Sequence, residues 1–319
     1  MKNLKRYSQL FENTQELNQE QKDWLDKCTK GGTWSVNPRT GLVDVDGGFN
    51  CSSTGLNDFK GVRFGKVEWY FICSYNNLKS LEGAPQSVSA GFDCSHNELK
   101  SFEGLPDGFS VGHFDCSDNK LTSLEGLPNG FKVDGGFDCS HNELKSFEGL
   151  PDGFSVGHFD CSDNKLTSLE GLPDGFKVIG NFRCSDNELE SLEGLPDGFK
   201  VGGDFYCSRN KLKSLEGLPD GFSVRGSFYC SNNKLTSLEG APQSVGGNFR
   251  CSGNPISERA IRGIFKRIYS KKIPLGQAVS EYWRNLSQED RAYLAKHHPS
   301  LPEKEKRIYR AIELNMKRR

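Results

Sequence analysis

The chain reads as an α/β solenoid of short coils stacked on a parallel sheet, with a helix and hairpin closing its front and helices following its back. Three observations predict this. Ten cysteines (Cys51, Cys73, Cys94, Cys116, Cys139, Cys161, Cys184, Cys207, Cys230 and Cys251) recur every 21 to 23 residues. Around them the sequence returns to F-x-C-S-x-N-x-L-x-S-L-E-G-L-P-D-G-F-x-V. Residues 91–128 reappear unchanged at 136–173, a 45-residue, two-coil duplication. Self-similarity at this period marks an architecture in which each unit touches only its neighbours and arrays lengthen without disturbing the rest.

The elements follow in order. Residues 1–48 are expected to form an N-terminal cap. Within it, residues 18–30 read as a helix with Asn18 as N-cap and Gln21 three residues on, ending before Gly31-Gly32. TWSV and GLVDV then flank NPRTG as a hairpin that would cover the first coil. Cys28, late in the helix, is assigned to the core.

Residues 49–254 supply about ten coils. In F-x-C two apolar residues alternate with an exposed one, as a half-buried strand requires. The Asn three residues after each Cys, from Asn76 to Asn254, stands where the strand turns. A column of amides there can pair backbone groups of successive coils. Each Cys is predicted to point inward as a small, soft packing group. Strand spacing of about 4.8 Å brings neighbouring thiols close. Disulfides or a thiolate metal site are the alternatives, but an odd number of eleven cysteines and burial both favour inert thiols. The first unit departs from the pattern with Thr54 at the Asn position, as end repeats often do. The Glu of S-L-E-G is expected to be solvated or to bond backbone amides.

F-x-C-S-x-N-x-L-x-S-L resembles the L-x-L-x-x-N-x-L-x-x-L core of leucine-rich repeats, with Phe and Cys in two Leu positions, over about residues 49–254. The resemblance implies a horseshoe with a parallel sheet on its concave side and short irregular segments on its convex side. TWSVNPRTGLVDVDG and GNPISE also resemble stretches of uncharacterised leucine-rich repeat proteins from tailed phages and environmental bacteria.

Residues 255–319 turn helical in pattern. SERAIRGIFKRIYSKK places Ile261, Ile264, Phe265 and Ile268 on one face, and further helices are expected at 275–286, 288–297 and 302–316. This C-terminal helical domain is either a lid or a functional unit.

Composition bounds the class. With 34% hydrophobic and 26% charged residues, the chain fits a globular protein, and no stretch nears the ~18 apolar residues of a spanning helix. MKNLKRYSQLFENTQ lacks the features of a secretory signal, so a cytoplasmic location and no membrane contact are expected. The net charge of −1 conceals −10 over residues 50–254 and +9 over 255–319.

Candidate binding residues come from the positions expected to face solvent: just before Phe, between Phe and Cys, and at the two residues after Cys. Here the repeats stop being copies. Between Phe and Cys the column runs Asn50, Ile72, Asp93, Asp115, Asp138, Asp160, Arg183, Tyr206, Tyr229, Arg250. Two residues after Cys it runs Ser53, Tyr75, His96, Asp118, His141, Asp163, Asp186, Arg209, Asn232, Gly253. Before Phe, His113 and His158 alternate with glycines, then give way to Asn181, Asp204, Ser227 and Asn248. Four successive Asp repel by about 1 kcal/mol per adjacent pair even in water, a cost that suits a cationic partner. Arg183, Arg209 and Arg250 beside Tyr206 and Tyr229 are types enriched at interface hot spots. The partner-binding set is therefore Tyr75, Asp93, His96, Asp115, Asp138, Asp160, Arg183, Tyr206, Arg209, Tyr229 and Arg250. One extended protein ligand with the opposite charge gradient fits it. His113 with Asp115 could begin a metal site, but a third convergent ligand is missing, so no metal and no cofactor are expected. An Asp–His column could also make binding depend on pH near 6.5.

These features favour a non-enzymatic protein-binding scaffold. Nucleic-acid or acidic-surface binding through basic residues 255–319 is the alternative. The layout also resembles bacterial effectors that join leucine-rich repeats to a ubiquitin-ligase tail, but those need a nucleophilic Cys there and residues 252–319 contain none. No phosphate-cradling loop, H-E-x-x-H or nucleophile elbow occurs.

Overall fold

Asn18 opens the helix α1 (Gln19–Cys28), accepting the Gln21 N–H at 2.9 Å while the Gln21 side chain accepts the Asn18 N–H at 2.9 Å. The computed structural model describes residues 16–256. The expected C-terminal helices and the N-terminal residues 1–15 lie outside the described residues. Trp24, Leu25 and Cys28 form the buried stripe of α1. Trp24 meets the rings of Phe49 and Phe64 edge-on at 5.2 and 6.1 Å, which covers the front of the first coil. Gln21 Nε2 also donates to the Lys60 carbonyl at 2.7 Å, tying helix to coil.

The helix stops at Cys28, two residues before the expected end. Strand β1 (Thr29–Val36) begins at once and pairs antiparallel with β2 (Val43–Asn50). Gly31 and Gly32 serve a β-bulge in this hairpin instead of ending the helix. Gly31 has φ +69°, and a Cβ on Gly32 would fall on the Asp46 carbonyl.

From β2 onward the pairing is parallel and in register. Phe49 pairs with Phe71, Phe71 with Phe92, Phe92 with Phe114 and Phe114 with Phe137. The series continues through Phe159, Phe182, Phe205 and Phe228 to Phe249. Among the described residues thirteen strands share this sheet. A second parallel row runs beside the first, with Val45, Val67, Val88, Val111 and Val133 paired in turn and Val156, Val178, Val201, Val224 and Val245 likewise. The L-E-G-L-P-D-G stretches opposite are turns and bends without strand, as the resemblance implied.

The interior is layered. Rings of the first Phe column stack on one another, 5.5 Å apart for Phe92–Phe114 and Phe137–Phe159. A second stacked column, including Phe131, Phe154 and Phe176, meets the first edge-on. Each buried ring contributes about 1.5–3 kcal/mol over its exposed state. All eleven cysteines are buried free thiols, as the inward reading expects. Desolvation pushes the thiols from Cys73 to Cys184 and that of Cys230 well up. They are packing atoms rather than nucleophiles.

The asparagine column does what its position predicts. Asn164 Nδ2 donates to the carbonyls of Cys139 in the preceding coil and of Cys161 and Ser162 in its own, at 3.0, 3.2 and 3.1 Å. Its Oδ1 accepts the Leu144 N–H at 2.9 Å. At the first coil Thr54 stands in the ladder position, its hydroxyl 2.6 Å from the Cys51 carbonyl and 3.4 Å from Asn76 Oδ1 of the next coil, with no preceding coil to be served.

Candidate binding surface

Strand register sets the solvent face of the sheet. Asp93 pairs with Asp115, Asp115 with Asp138 and Asp138 with Asp160. Arg183, Tyr206, Tyr229 and Arg250 continue the same column. The column between Phe and Cys is thus one line of side chains across the sheet.

The Asp half of that line is anchored, which the sequence does not reveal. Asp138 Oδ1 accepts the Ser140 N–H at 2.9 Å and the Ser140 hydroxyl at 2.6 Å. Asp93 and Asp115 hold Ser95 and Ser117 in the same way, and Asn50 does so for Ser52. In the coils of Ser74, Ser95, Ser117 and Ser140 the serine directly after Cys is therefore not a solvent-facing position, whereas Ser52, Ser162, Ser185, Ser208, Ser231 and Ser252 are half-buried. Ser74, Ser95, Ser117 and Ser140 are buried, because each is turned back to bond the strand-end Asp or Asn side chain of its own or the next coil. Burial pushes the Asp115 and Asp138 carboxyls up from their ordinary value against those serine bonds, and neighbouring Asp charges add to the rise.

The Arg and Tyr half is a stacked ladder. The Tyr206 and Tyr229 rings lie parallel, 4.6 Å apart. The Arg183 guanidinium sits 5.3 Å from the Tyr206 centroid, and that of Arg250 sits 5.5 Å from the Tyr229 centroid. Arg183 also reaches Asp160 at 3.3 Å. Tyr206 donates to Asp204 at 2.8 Å, and burial with this bond pushes its hydroxyl up to about 12. Cation–π contacts of this kind are worth about 0.5–1 kcal/mol when exposed, so the strip is held in place before any partner arrives.

Tyr75, His96 and Arg209 lie in the neighbouring column. Ser53, Tyr75, His96, Asp118, His141, Asp163, Asp186, Arg209 and Asn232 all have φ between 50° and 56°. Asp and Asn tolerate this left-handed region, whereas bulky residues adopt it at a cost of about 1 kcal/mol or more. Tyr75 keeps it while 59% exposed and stacked on His96 at 4.0 Å. His96 approaches Asp118 at 3.5 Å, His141 approaches Asp163 at 3.6 Å, and Arg209 pairs with Asp186. Two exposed apolar side chains, Trp69 and Ile179, lie outside the expected set. No periodic signal marks them, because each is unique to its coil.

A shallow groove of about 450 Å³ lies over Gly136, lined in part by His113, Asp138, His158 and Arg183. The His/Gly alternation before Phe and the Asp-to-Arg column between Phe and Cys were its sequence signals. Among the described residues no group of three or more His, Cys, Asp or Glu could hold a metal ion, and no helix is long and apolar enough to cross a membrane.

No protein-family model matches the chain, and no curated protein matches it. Among solved structures, the leucine-rich repeat domain of APL1B is similar at TM-score 0.44 and 15% identity, over 65% of this chain and 71% of that one. YopM from Yersinia enterocolitica WA-314 is similar at TM-score 0.34 and 20% identity, over 66% of this chain and 61% of its own. The geometry of the coils themselves carries the assignment. Parallel strands in register, Phe, Cys and Leu turned inward, and an asparagine column bridging successive turns give this chain the fold of a leucine-rich repeat solenoid.

Proposed function

We propose that the protein is a non-enzymatic scaffold that receives a protein partner on the solvent face of its sheet, the concave face of the expected horseshoe. The observation that carries this reading is where the coils differ. Core and turn positions repeat almost without change, while of the two solvent-facing columns one passes from Asp to Arg and Tyr along the array and the other mixes Tyr, His, Asp, Arg and Asn. Packing needs no such variety, and a recognition surface does. Within it the pre-stacked Arg183–Tyr206–Tyr229–Arg250 strip is the proposed anchor, since rigid aromatic and Arg side chains lose little entropy on binding. Tyr75, Asp93, His96, Asp115, Asp138, Asp160 and Arg209 extend the surface toward the acidic end.

The test is affinity capture from the native host with wild type, with a variant carrying Arg183, Tyr206, Tyr229 and Arg250 changed to Ala, and with Glu98→Ala/Lys120→Ala as a control outside this column. A partner kept by wild type and control but lost by the strip variant is expected. Identical recovery by all three would rule the surface out.

A further inference from the structure

Apolar exposure gathers in the second coil. Its Trp69 and Tyr75 are 49% and 59% exposed, and Tyr70 and Ile72 between them are half-buried. These four side chains make an apolar band along one strand, lying across the charged columns.

The column just before Phe opens a slot beside this band. Tyr70 pairs with Gly91 and Gly91 with His113, so a glycine separates two ring-bearing residues. Both rings lean away from it. A Cβ on Gly48, one coil earlier, would stand 2.6 Å from the Tyr70 ring, and one on Gly135, one coil later, 2.6 Å from the His113 ring. A Cβ on Gly91 itself would meet nothing nearer than the His113 carbonyl oxygen at 3.8 Å, whereas one on Gly136, the next glycine of the column, would meet the His113 ring at 3.3 Å. Two strand spacings of about 4.8 Å separate Tyr70 from His113. A planar group needs about 3.5–4.0 Å to each neighbour, so there is room for one between them.

Charge selects the planar group. Asp93 follows Gly91 on the same face of its strand, and Asp115 pairs with it in the next coil. Asp93 is held by Ser74 and Ser95, and Asp115 by Ser117, so both carboxylates are fixed at the end of the slot. In the columns before Phe, between Phe and Cys, and two residues after Cys, no Lys or Arg precedes Arg183. We infer that the Gly91 slot takes an arginine side chain of the protein partner, its guanidinium between Tyr70 and His113 and its N–H groups directed at Asp93 and Asp115. Apolar neighbours of that arginine then lie on Trp69, Ile72 and Tyr75. A guanidinium is planar, stacks on aromatic rings and offers five donors, whereas a lysine ammonium is a point charge. This inference rests on the sheet face being a partner-binding surface, and it names the chemistry that the acidic end selects.

Titration of the full chain with N-acetylarginine amide, followed at the Asp93 amide and His113 ring NMR signals, tests the slot without any partner. Its outcome is therefore separate from whether the Arg and Tyr strip captures a protein. Wild type and Glu98→Ala/Lys120→Ala should show the same saturable shifts. N-acetyllysine amide should bind at least about threefold more weakly, having no plane to stack, and planar but uncharged N-acetylcitrulline amide at least about tenfold more weakly. Gly91→Leu, at a position with room for a Cβ, should fill the slot and weaken the arginine amide at least about tenfold. If Gly91→Leu lowers the urea midpoint, Asp93→Asn decides, because Asn50 shows that an amide keeps the two serine bonds. It should weaken binding about threefold or more, through loss of the charge. No saturable shift in wild type, equal affinity in the deciding variant, or tighter binding of N-acetyltyrosine amide overturns the inference.

Discussion

Asp138 sits between two like charges and holds Ser140 through one carboxylate oxygen. Asn50 makes the same two bonds to Ser52 without any charge, so the charge is not what the turn requires. The Asp138 carboxyl is raised, by burial first and by Asp160 and Asp115 after it. A raised carboxyl contributes stability below its unfolded pKa and loses it as pH climbs through the folded pKa. At pH 7 Asp138 is therefore a net burden. Asp138→Asn should stabilise the protein at pH 7 by on the order of 1 kcal/mol, and the gain should vanish near pH 3, as read by urea unfolding at both pH values. An equal gain at both would mean that packing, not charge, is responsible. The Asp column was legible as a line of like charges, but its serine anchors were not. Ser follows Cys in every coil, so its burial has no contrast in the sequence to reveal it.

Among elements, the helix, hairpin and coil strands were readable because each has a local cause: a capping box, a turn flanked by alternating residues, and the F-x-C period. Helix length was not, because Gly31 and Gly32 look like a helix stop and act as a bulge. The corner between the two strand rows was also hidden. There the N–H groups of Gly135, Gly157, Gly180, Gly203, Gly226 and Gly247 each bond the carbonyl of the preceding corner glycine, beginning at Gly112, at 2.6–2.9 Å. A Cβ on Gly157 would stand 2.6 Å from the Gly135 oxygen, and its three nearest neighbours are all backbone atoms of Gly135, with no flexible side-chain end among them to yield. Gly157→Ala should cost about 1–3 kcal/mol in urea unfolding, as overpacking does. An unchanged midpoint would show that the two rows slide apart freely at this corner.

At the scale of the whole molecule, stability belongs to stacking between neighbours, and the duplication offers a clean cut through it. Removing residues 91–135 joins Ala90 to Gly136, and the 38 residues that follow are identical to those that followed Ala90 before. Phe137 then meets Phe71 as Phe92 did, and Asn142 takes over the bonds of Asn97 to the Cys73 carbonyl and the Leu78 N–H. No junction is new, so register, corner and ladder all close. The shortened chain should fold cooperatively with two coils fewer. Its urea m-value should fall by roughly a fifth, since m follows the surface exposed on unfolding. The midpoint should fall only modestly, because in a one-dimensional stack the loss comes from repeat and interface terms. Loss of cooperative unfolding would mean that contacts beyond nearest neighbours hold the array. An unchanged m-value would mean that the deleted coils were never part of the unfolding unit.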